Sequence, residues 1–379
     1  MGEIEEPDVV IIGAGPAGTS TAAEITDCSD KTVVLIDRRE VIGVPGRCAG
    51  GISYDQMDLV HLKAPQHTIT NEVFGMKIFS PNMTELTFED NGPLGFIVDR
   101  PKFDQWLHTR IDPEKCETLL GTPAKTNGDI VTCGTRKFRP KTIVLATALD
   151  VKMAQSAGIN VWVPPTDVHK CVQVTIESRK FDTKYLWLYF GKEVAPDGYA
   201  WVFPERDNLI RVGLGISQSN EHSVSRLLDA FILKMELFGA PQTFRTGKFI
   251  PTLYYPKSIT NGKVALVGDA GFQCGPSTGG GIGSSLVCGK ILGSCIALGK
   301  SLETYDKEWR QSIQEKMETQ YLIKRLLAGL DDSELDQFAE ALKAYKLRSP
   351  ADIPTVGKKI LLGNRRLLWK AMKMKLLRR

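Results

Sequence analysis

No two of the chain's eight cysteines are spaced as a C-x-x-C pair: they are Cys28, Cys48, Cys116, Cys133, Cys171, Cys274, Cys288 and Cys295. That argues against a zinc site, an iron–sulfur cluster or a disulfide scaffold, and it fits a reducing, cytoplasmic compartment. Histidine is scarce. His61, His67, His108, His169 and His222 are scattered, none at ligand spacing from another His or Cys, so no metal is expected. No apolar run reaches the roughly 18–20 residues that a membrane-crossing helix needs. The opening residues MGEIEEPD are acidic and lead straight into an apolar strand, which is not the pattern of a signal peptide. Charged residues make up 24% and hydrophobic ones 42%, which excludes a disordered or collagen-like chain. The 379 residues have room for two domains, or for one domain with an insertion.

Charge is unevenly placed. Residues 357–379 hold nine of the 48 basic residues and none of the 44 acidic ones, which leaves 39 basic against 44 acidic in the remainder. A nucleic-acid partner would need a basic patch on the body, and none is visible. The tail sets Arg366, Lys370 and Lys373 on one helical stripe and Leu361, Leu368, Met372 and Leu376 on another. That pattern predicts peripheral contact of residues 357–379 with the anionic inner membrane surface.

What is present begins at once. DVVIIGAGPAG at 8–18 is a β-branched apolar run followed by Gly13, Gly15 and Gly18 in G-x-G-x-x-G spacing. TSTAAEI follows with helix-compatible residues, and KTVVLIDRR is a second apolar run that ends in Asp37, 19 positions after Gly18. Each part has a task in a dinucleotide-binding βαβ unit. Gly13 allows the tight turn, Gly15 lets the backbone approach a pyrophosphate, and Gly18 lets helix and strand pack closely. The acid accepts hydrogen bonds from a ribose.

Further buried strands of parallel type read near 142 and 263. Between them, alternating runs near 73–98 and at 172–177, 185–191, 199–205 and 209–216 read as antiparallel strands. Helices are predicted over 99–111, where Phe103, Leu107 and Ile111 recur at i, i+4, i+8, over about 224–239, and over the small-residue stretch 279–299. The order predicts an α/β fold with α+β insertions. Residues 1–72, 99–165 and 250–300 form a discontinuous Rossmann-like domain, and 73–98 with 166–249 form an antiparallel-sheet substrate domain. Residues 301–379 form a helical C-terminal region with the basic tail.

Three motifs together resemble FAD enzymes of the glutathione reductase class, p-hydroxybenzoate hydroxylase type. They are the first fingerprint, DRPKFDQWL with Arg100 at its helix start, and GDAGFQCGPSTGGGIGSSL at 268–286. Two further signatures are similar to the geranylgeranyl reductase family, in its archaeal branch acting on isoprenoid lipids. One is Tyr199-x-Trp201-x-Phe203-Pro204 followed by Gly213-x-Gly215. The other is PGRCAGGIS, with Cys48 before Gly51. The resemblance covers about residues 7–300. It implies FAD held by Gly13, Gly15, Ala17, Gly18, Asp37 and Arg38, by Arg47, Cys48, Ala49 and Gly50, by Arg100, and by Asp269, Gly279, Gly280, Gly281 and Ile282. It implies an isoprenoid lipid lying on Tyr199, Trp201, Phe203 and Pro204. One departure stands out: related flavoproteins carry A-D-G-x-x-S after the strand at 142, where this chain reads ATALDVKMA.

The chemistry implied is hydrogenation of isolated C=C bonds in geranylgeranyl chains of ether lipids such as digeranylgeranylglycerol phosphate. No carbonyl polarises such a bond, so a hydride from the cofactor must be matched by a proton on the other carbon. Cys48 and Tyr199 are the candidate donors, beside water. Cys288 and Cys295 share a helix face and read as core. No second G-x-G-x-x-G is present, so the electron donor is left between ferredoxin and NAD(P)H. A prenyl quinone reductase, a flavin monooxygenase of the same fold and a non-catalytic isoprenoid carrier stay open beside the leading reading.

Overall fold

The computed structural model describes residues 3–237, 242–253 and 258–345. The chain divides into two compact units. The first comprises Met1–Ile69, Val98–Val163 and Pro251–Glu318; the second comprises Thr70–Ile97, Pro164–Ile250 and the chain from Thr319 onward. The helices, in order, are α1 Pro16–Cys28, α2 Tyr54–Leu59, α3 Arg100–His108, α4 Val151–Ser156, α5 Val224–Lys234, α6 Ile282–Ala297, α7 Leu302–Gly329 and α8 Asp332–Ala344. The helices after residue 301 are not a body of their own, since α7 begins in the first unit and ends in the second. The basic stripe at 357–379 lies outside the described residues. Among the described residues no helix is long and apolar enough to cross a membrane.

In the first unit a five-stranded parallel sheet runs in the order Val264–Leu266, Thr142–Leu145, Val9–Ile12, Val33–Ile36, Cys116–Leu119. Every residue of the Val9–Ile12 and Val33–Ile36 strands is buried, as expected of strands covered on both faces. α1 and α6 pack side by side in the same direction, and small residues permit the approach. A Cβ on Gly289 would stand 2.6 Å from the Ala17 carbonyl oxygen, and one on Gly293 would stand 2.5 Å from Glu24 Cβ. Ser20 Oγ donates to the Leu286 carbonyl at 2.9 Å across the same seam. Cys288 and Cys295 are both fully buried in α6, and the Cys295 sulfur bonds Glu308 of α7 at 3.5 Å.

α3 starts where its residues dictate. Asp99 caps it by accepting from Lys102 N at 3.3 Å, Pro101 fits the first turn, and Phe103, Leu107 and Ile111 are buried. The sequence reading passed over the edge strand Cys116–Leu119. It also passed over a four-stranded sheet built from Ile4–Glu5, Ala124–Thr126, Val131–Cys133 and Arg136–Phe138. Those segments are two to four residues long, too short for an apolar period to register.

The second unit holds a seven-stranded sheet in the order Gln242–Pro251, Val168–Glu177, Leu209–Ser217, Tyr199–Pro204, Tyr185–Tyr189, Gly75–Phe79, Glu85–Glu89. Tyr185–Tyr189 and Gly75–Phe79 pair in parallel, while the central pairs are antiparallel. Val174, Ile176, Ala200, Val202, Ile210, Val212 and Leu214 form one wholly buried face, packed with Leu228, Phe231 and Ile232 of α5. Ser223 caps α5, and a reciprocal capping box of Asp331 and Glu334 starts α8, whose Phe338 and Leu342 pack with Leu86 and Phe88.

A polar cluster anchors the end of α7 within this unit. Lys324 Nζ donates to Asp167 Oδ1 at 2.8 Å and to the Thr166 carbonyl at 3.1 Å, and the Tyr321 hydroxyl reaches Asp167 Oδ2 at 3.2 Å. Close by, His169 Nε2 donates to the Asp197 carbonyl at 3.0 Å. Burial, helped by the Lys324 charge, lowers His169 to about 4. The unfolded chain then takes up a proton near pH 6.5 that the folded chain refuses until about pH 4. Stability contributed by neutral His169 is complete at pH 7 and is lost as pH falls through this window, by roughly 3 kcal/mol in all. Urea midpoints at pH 7 and pH 4.5 should therefore fall further in the parent chain than in His169→Gln. Equal falls would mean that His169 is not the group responsible.

Candidate active site

The first loop leaves the end of the Val9–Ile12 strand. Gly13 adopts φ +109°, and a Cβ there would stand 2.3 Å from the Ala146 carbonyl oxygen. One on Gly18 would stand 1.9 Å from the Gly13 oxygen. Gly15 caps α1, and nothing lies within 4 Å of where its Cβ would be. So Gly13 and Gly18 serve the fold, while Gly15 opens on free space. Asp37, at the end of the next strand, is buried. Its Oδ2 accepts from Ala14 N at 2.8 Å, and its Oδ1 accepts from Arg39 N at 2.9 Å and Nε at 3.1 Å. Arg38 is exposed, and its neighbour Arg39, which sequence reasoning missed, is the one that meets the acid.

The second loop follows the Val264–Leu266 strand. Gly268 (φ +69°) packs with its Cα side against Ala17, whose Cβ would be 2.8 Å from a side chain there. Asp269 lies in a short 3-10 turn, and Gly279 (φ +65°), Gly280 and Gly281 lead into α6 at Ile282. Asp269 Oδ1 is 3.1 Å from the position of a Gly281 Cβ, so the carboxylate lies beside the start of α6. Buried Cys274 is there too, its sulfur 3.5 Å from the same point.

α1 and α6 both follow strands of one parallel sheet, so both N-termini open at the carboxyl edge of the sheet. Each is capped by glycine without a side-chain hydrogen bond and has no acid in its first turn. By contrast α3, α5 and α8 are capped by Asp or Ser side chains. Two like-directed helix dipoles packed together repel, and their open N–H groups want acceptors; an anion placed between them relieves both. Among the described residues, the buried hydroxyls of Thr19 and Thr147 also find no protein partner. These residues fit the pyrophosphate and sugar of a dinucleotide such as FAD.

The divergent ATALD segment keeps its own order. Ala146 backs Gly13, Ala148 takes φ +55°, and Asp150 caps α4 by accepting from Met153 N at 3.0 Å.

A third loop, 43–50, packs on the start of α3. A Cβ on Gly43 would stand 2.8 Å from Pro101 Cα, and one on Gly46 would stand 3.1 Å from Pro101 Cδ. Arg100 makes a fork to Asp104, with Nε–Oδ1 at 2.9 Å and Nη2–Oδ2 at 2.7 Å. It also bonds the sulfur of Cys48, which accepts from Gly50 N at 3.4 Å. Burial works against the guanidinium charge, but Asp104 and then Cys48 outweigh it, so Arg100 holds its proton more firmly than a free arginine. Arg100 and Cys48, read separately in the sequence, thus meet. Asp104 was missed, although Arg and Asp four apart on a helix are a readable pair. Arg47 is exposed, Ala49 half-buried and Gly50 buried.

Tyr199, Trp201 and Phe203 belong to the second unit and share one strand face. Opposite them on the next strand stand Gly215, Gly213 and Arg211. A Cβ on Gly213 would be 2.4 Å from Trp201 Cζ2 and 2.7 Å from the Val172 carbonyl oxygen. The G-x-G pair therefore lets the indole lie across its neighbour. Tyr199 sits edge-on to Trp201, centroids 5.9 Å apart, with Phe190 5.7 Å beyond Tyr199. Half-buried Arg211 and buried Glu205 form an ion pair near Phe203. Pro204 does not join this surface. It pairs with Ile210 on the opposite, core-facing side, because successive strand residues alternate faces.

Residues 167–244 match the geranylgeranyl reductase catalytic domain, and residues 11–75 match an NAD(P)-binding Rossmann-like domain. The digeranylgeranylglycerophospholipid reductase of Methanosarcina acetivorans is 30% identical, over 96% of this chain and 94% of that protein. That of Methanocella arvoryzae is 31% identical, over 96% and 97%. A geranylgeranyl bacteriochlorophyll reductase-like structure from Thermoplasma acidophilum superposes with TM-score 0.88 at 24% identity, covering 98% of this chain and all of that one. A probable FAD-dependent monooxygenase from Pseudomonas aeruginosa shares the fold at TM-score 0.66 and 17% identity, over 88% and 99%. Alike over nearly its whole length to such reductases, the chain belongs to the geranylgeranyl reductase family.

Proposed function

We propose that this protein is an FAD-dependent reductase that hydrogenates C=C bonds in the geranylgeranyl chains of isoprenoid ether lipids of the digeranylgeranylglycerophospholipid kind. The observation that carries the cofactor reading is the pair of uncapped, like-directed helix N-termini of α1 and α6 beside Asp37 and Asp269. The aromatic face of Tyr199, Trp201 and Phe203 supports an apolar chain as substrate.

Bound FAD supplies the hydride. The chain's own residues do the rest. The N–H groups at the starts of α1 and α6 hold the anionic parts of the cofactor, and Asp37 takes the ribose hydroxyls. The aromatic face orients the isoprenoid and keeps water away from a carbon that becomes electron-poor in the transition state. A proton must reach the second alkene carbon. Cys48, held by Gly50 N and Arg100, is the first candidate to hold or deliver it, and Tyr199 is the second. The donor of electrons is ferredoxin or NAD(P)H, and the basic tail at 357–379 is read as the contact with the lipid surface.

The test is anaerobic. Reduce the purified flavoprotein with dithionite, add a geranylgeranylated glycerol phosphate, and follow lipid mass for steps of two hydrogens. Stepwise gains are expected. Cys48→Ala should slow them by roughly 10²-fold if the thiol handles the proton, and Tyr199→Phe should do so if the phenol does. An unchanged lipid beside a fully reducible flavin sinks the substrate reading, and product formed only with oxygen would make the protein a monooxygenase.

A further inference from the structure

A closed ring of hydrogen bonds lies behind the second glycine loop. The Gln273 side chain folds back so that its Oε1 accepts from Gly268 N at 2.8 Å. Its Nε2 donates to the Tyr305 hydroxyl at 2.8 Å. That hydroxyl in turn donates to the Leu266 carbonyl at 2.9 Å. Tyr305, on the first turn of α7, and Gln273 are both fully buried, so water cannot substitute for either. Burial holds the Tyr305 phenol well above its ordinary range, and it stays a donor at any working pH.

The ring encloses the turn that carries Asp269. Leu266 ends the strand, and Gly268 opens the turn at φ +69°. Phe272 closes it in the left-handed region at φ +58°, and Gln273 N bonds back to the Gly268 carbonyl at 3.0 Å. A bulky residue with positive φ is strained and persists only where its surroundings over-determine it. Here Gln273 and Tyr305 do that. The same turn sets Asp269 Oδ1 beside Gly281, the cap of α6.

We propose that Tyr305, acting through Gln273, is a positioning residue for the cofactor: it fixes the Gly268–Gly271 turn so that Asp269 and the start of α6 meet the flavin nucleotide together. The inference rests on the FAD reading above. Trp309, four residues on along α7, provides the contrast. It is just as buried, but its Nε1 bonds Asp306 at 2.9 Å and not the loop.

The experiment titrates full-length apoprotein with FAD, following flavin fluorescence, and records the thermal midpoint of each apoprotein in parallel. The variants are Tyr305→Phe, Gln273→Met, Trp309→Phe, Asp269→Asn and the Tyr305→Phe/Asp269→Asn double. Tyr305→Phe and Gln273→Met should each weaken FAD about tenfold, since each removes two buried hydrogen bonds that hold the turn. Trp309→Phe should lower the thermal midpoint while FAD affinity stays within about twofold. The double variant should fall short of the product of its singles by about threefold or more, because both act on one turn. The proposal is overturned if Tyr305→Phe binds FAD like the parent, if its effect multiplies independently with Asp269→Asn, or if Trp309→Phe loses as much affinity per degree of midpoint. Should Tyr305→Phe not fold, Gln273→Met decides by the same comparisons. A parent chain that binds no FAD would overturn the cofactor reading itself, before any variant is compared.

Discussion

Alanine at Gly15 should leave the thermal midpoint of the apoprotein almost unchanged and weaken FAD binding by about two orders of magnitude or more, whereas alanine at Gly18 should lose both. The two positions lie three residues apart in one fingerprint, and their surroundings differ completely. A Cβ on Gly18 would be 1.9 Å from the Gly13 carbonyl oxygen and 3.1 Å from Ala146 Cβ. Backbone must move to admit it, and forced overpacking of this kind costs roughly 1–3 kcal/mol or more. A Cβ on Gly15 meets no protein atom within 4 Å. Among the described residues nothing stands in its way, so what it would obstruct is an approaching ligand. The position caps α1, where an approaching pyrophosphate would collect the open N–H groups, and a methyl group there pushes the phosphates back from those donors. Calorimetry of the apoproteins and fluorescence titration with FAD separate the two effects. Parent-like FAD binding by Gly15→Ala would show that the free space at this helix end is not where the cofactor sits.

The second large effect falls in the other unit. Gly213→Ala should retain FAD and lose most turnover of geranylgeranyl lipid, on the order of 10²-fold. The added Cβ would stand 2.4 Å and 2.6 Å from two atoms of the Trp201 indole and 2.7 Å from the Val172 carbonyl oxygen. The ring is the more mobile of these neighbours, so it tilts off the strand and the aromatic face changes shape. Misplacing a positioned group by about 1 Å is enough to cost about 10²-fold in rate. If that is the cause, Trp201→Leu alone should lose turnover to a similar extent while retaining flavin, since it too removes the ring from its place on the face. Steady-state turnover of the lipid, measured beside flavin content, reads both variants. Unchanged turnover in Gly213→Ala would remove the Trp201 face from the substrate site, and flavin loss there would mean the damage spreads beyond this sheet.

These two predictions draw on parts that were unequally visible in the chain. The glycine spacing at 13, 15 and 18, the buried strands on either side and Asp37 are all local, and each is dictated by a turn or a dipole a few residues away. The helix over Arg100–His108 was equally legible, because Asp99, Pro101 and the Phe103–Leu107 spacing all act within two turns. Trp201 and Gly213 were legible only as a pattern. Their direct opposition needed the register of two antiparallel strands. Pro204 was read with its neighbours Trp201 and Phe203, and strand alternation turned it to the core. Arg38 was read where Arg39 makes the contact, since composition alone does not say which way a side chain leaves a loop.

By itself, then, the sequence determined the dinucleotide unit, the positions of its two glycine loops and the alternation of the aromatic strand, because short-range sterics and hydrogen bonding decide those. Only the tertiary structure decided which distant groups meet. It brought Arg100 to Cys48, Tyr305 to Gln273 and the turn of Asp269, and Gly289 and Gly293 against α1. It also divided α7 between two units. The reason is physical. A contact such as that of Tyr305 with the Leu266 carbonyl spans 39 residues of sequence, and neither partner carries a local signature. Such a contact forms because both groups are buried together and each would otherwise be left without a hydrogen-bond partner.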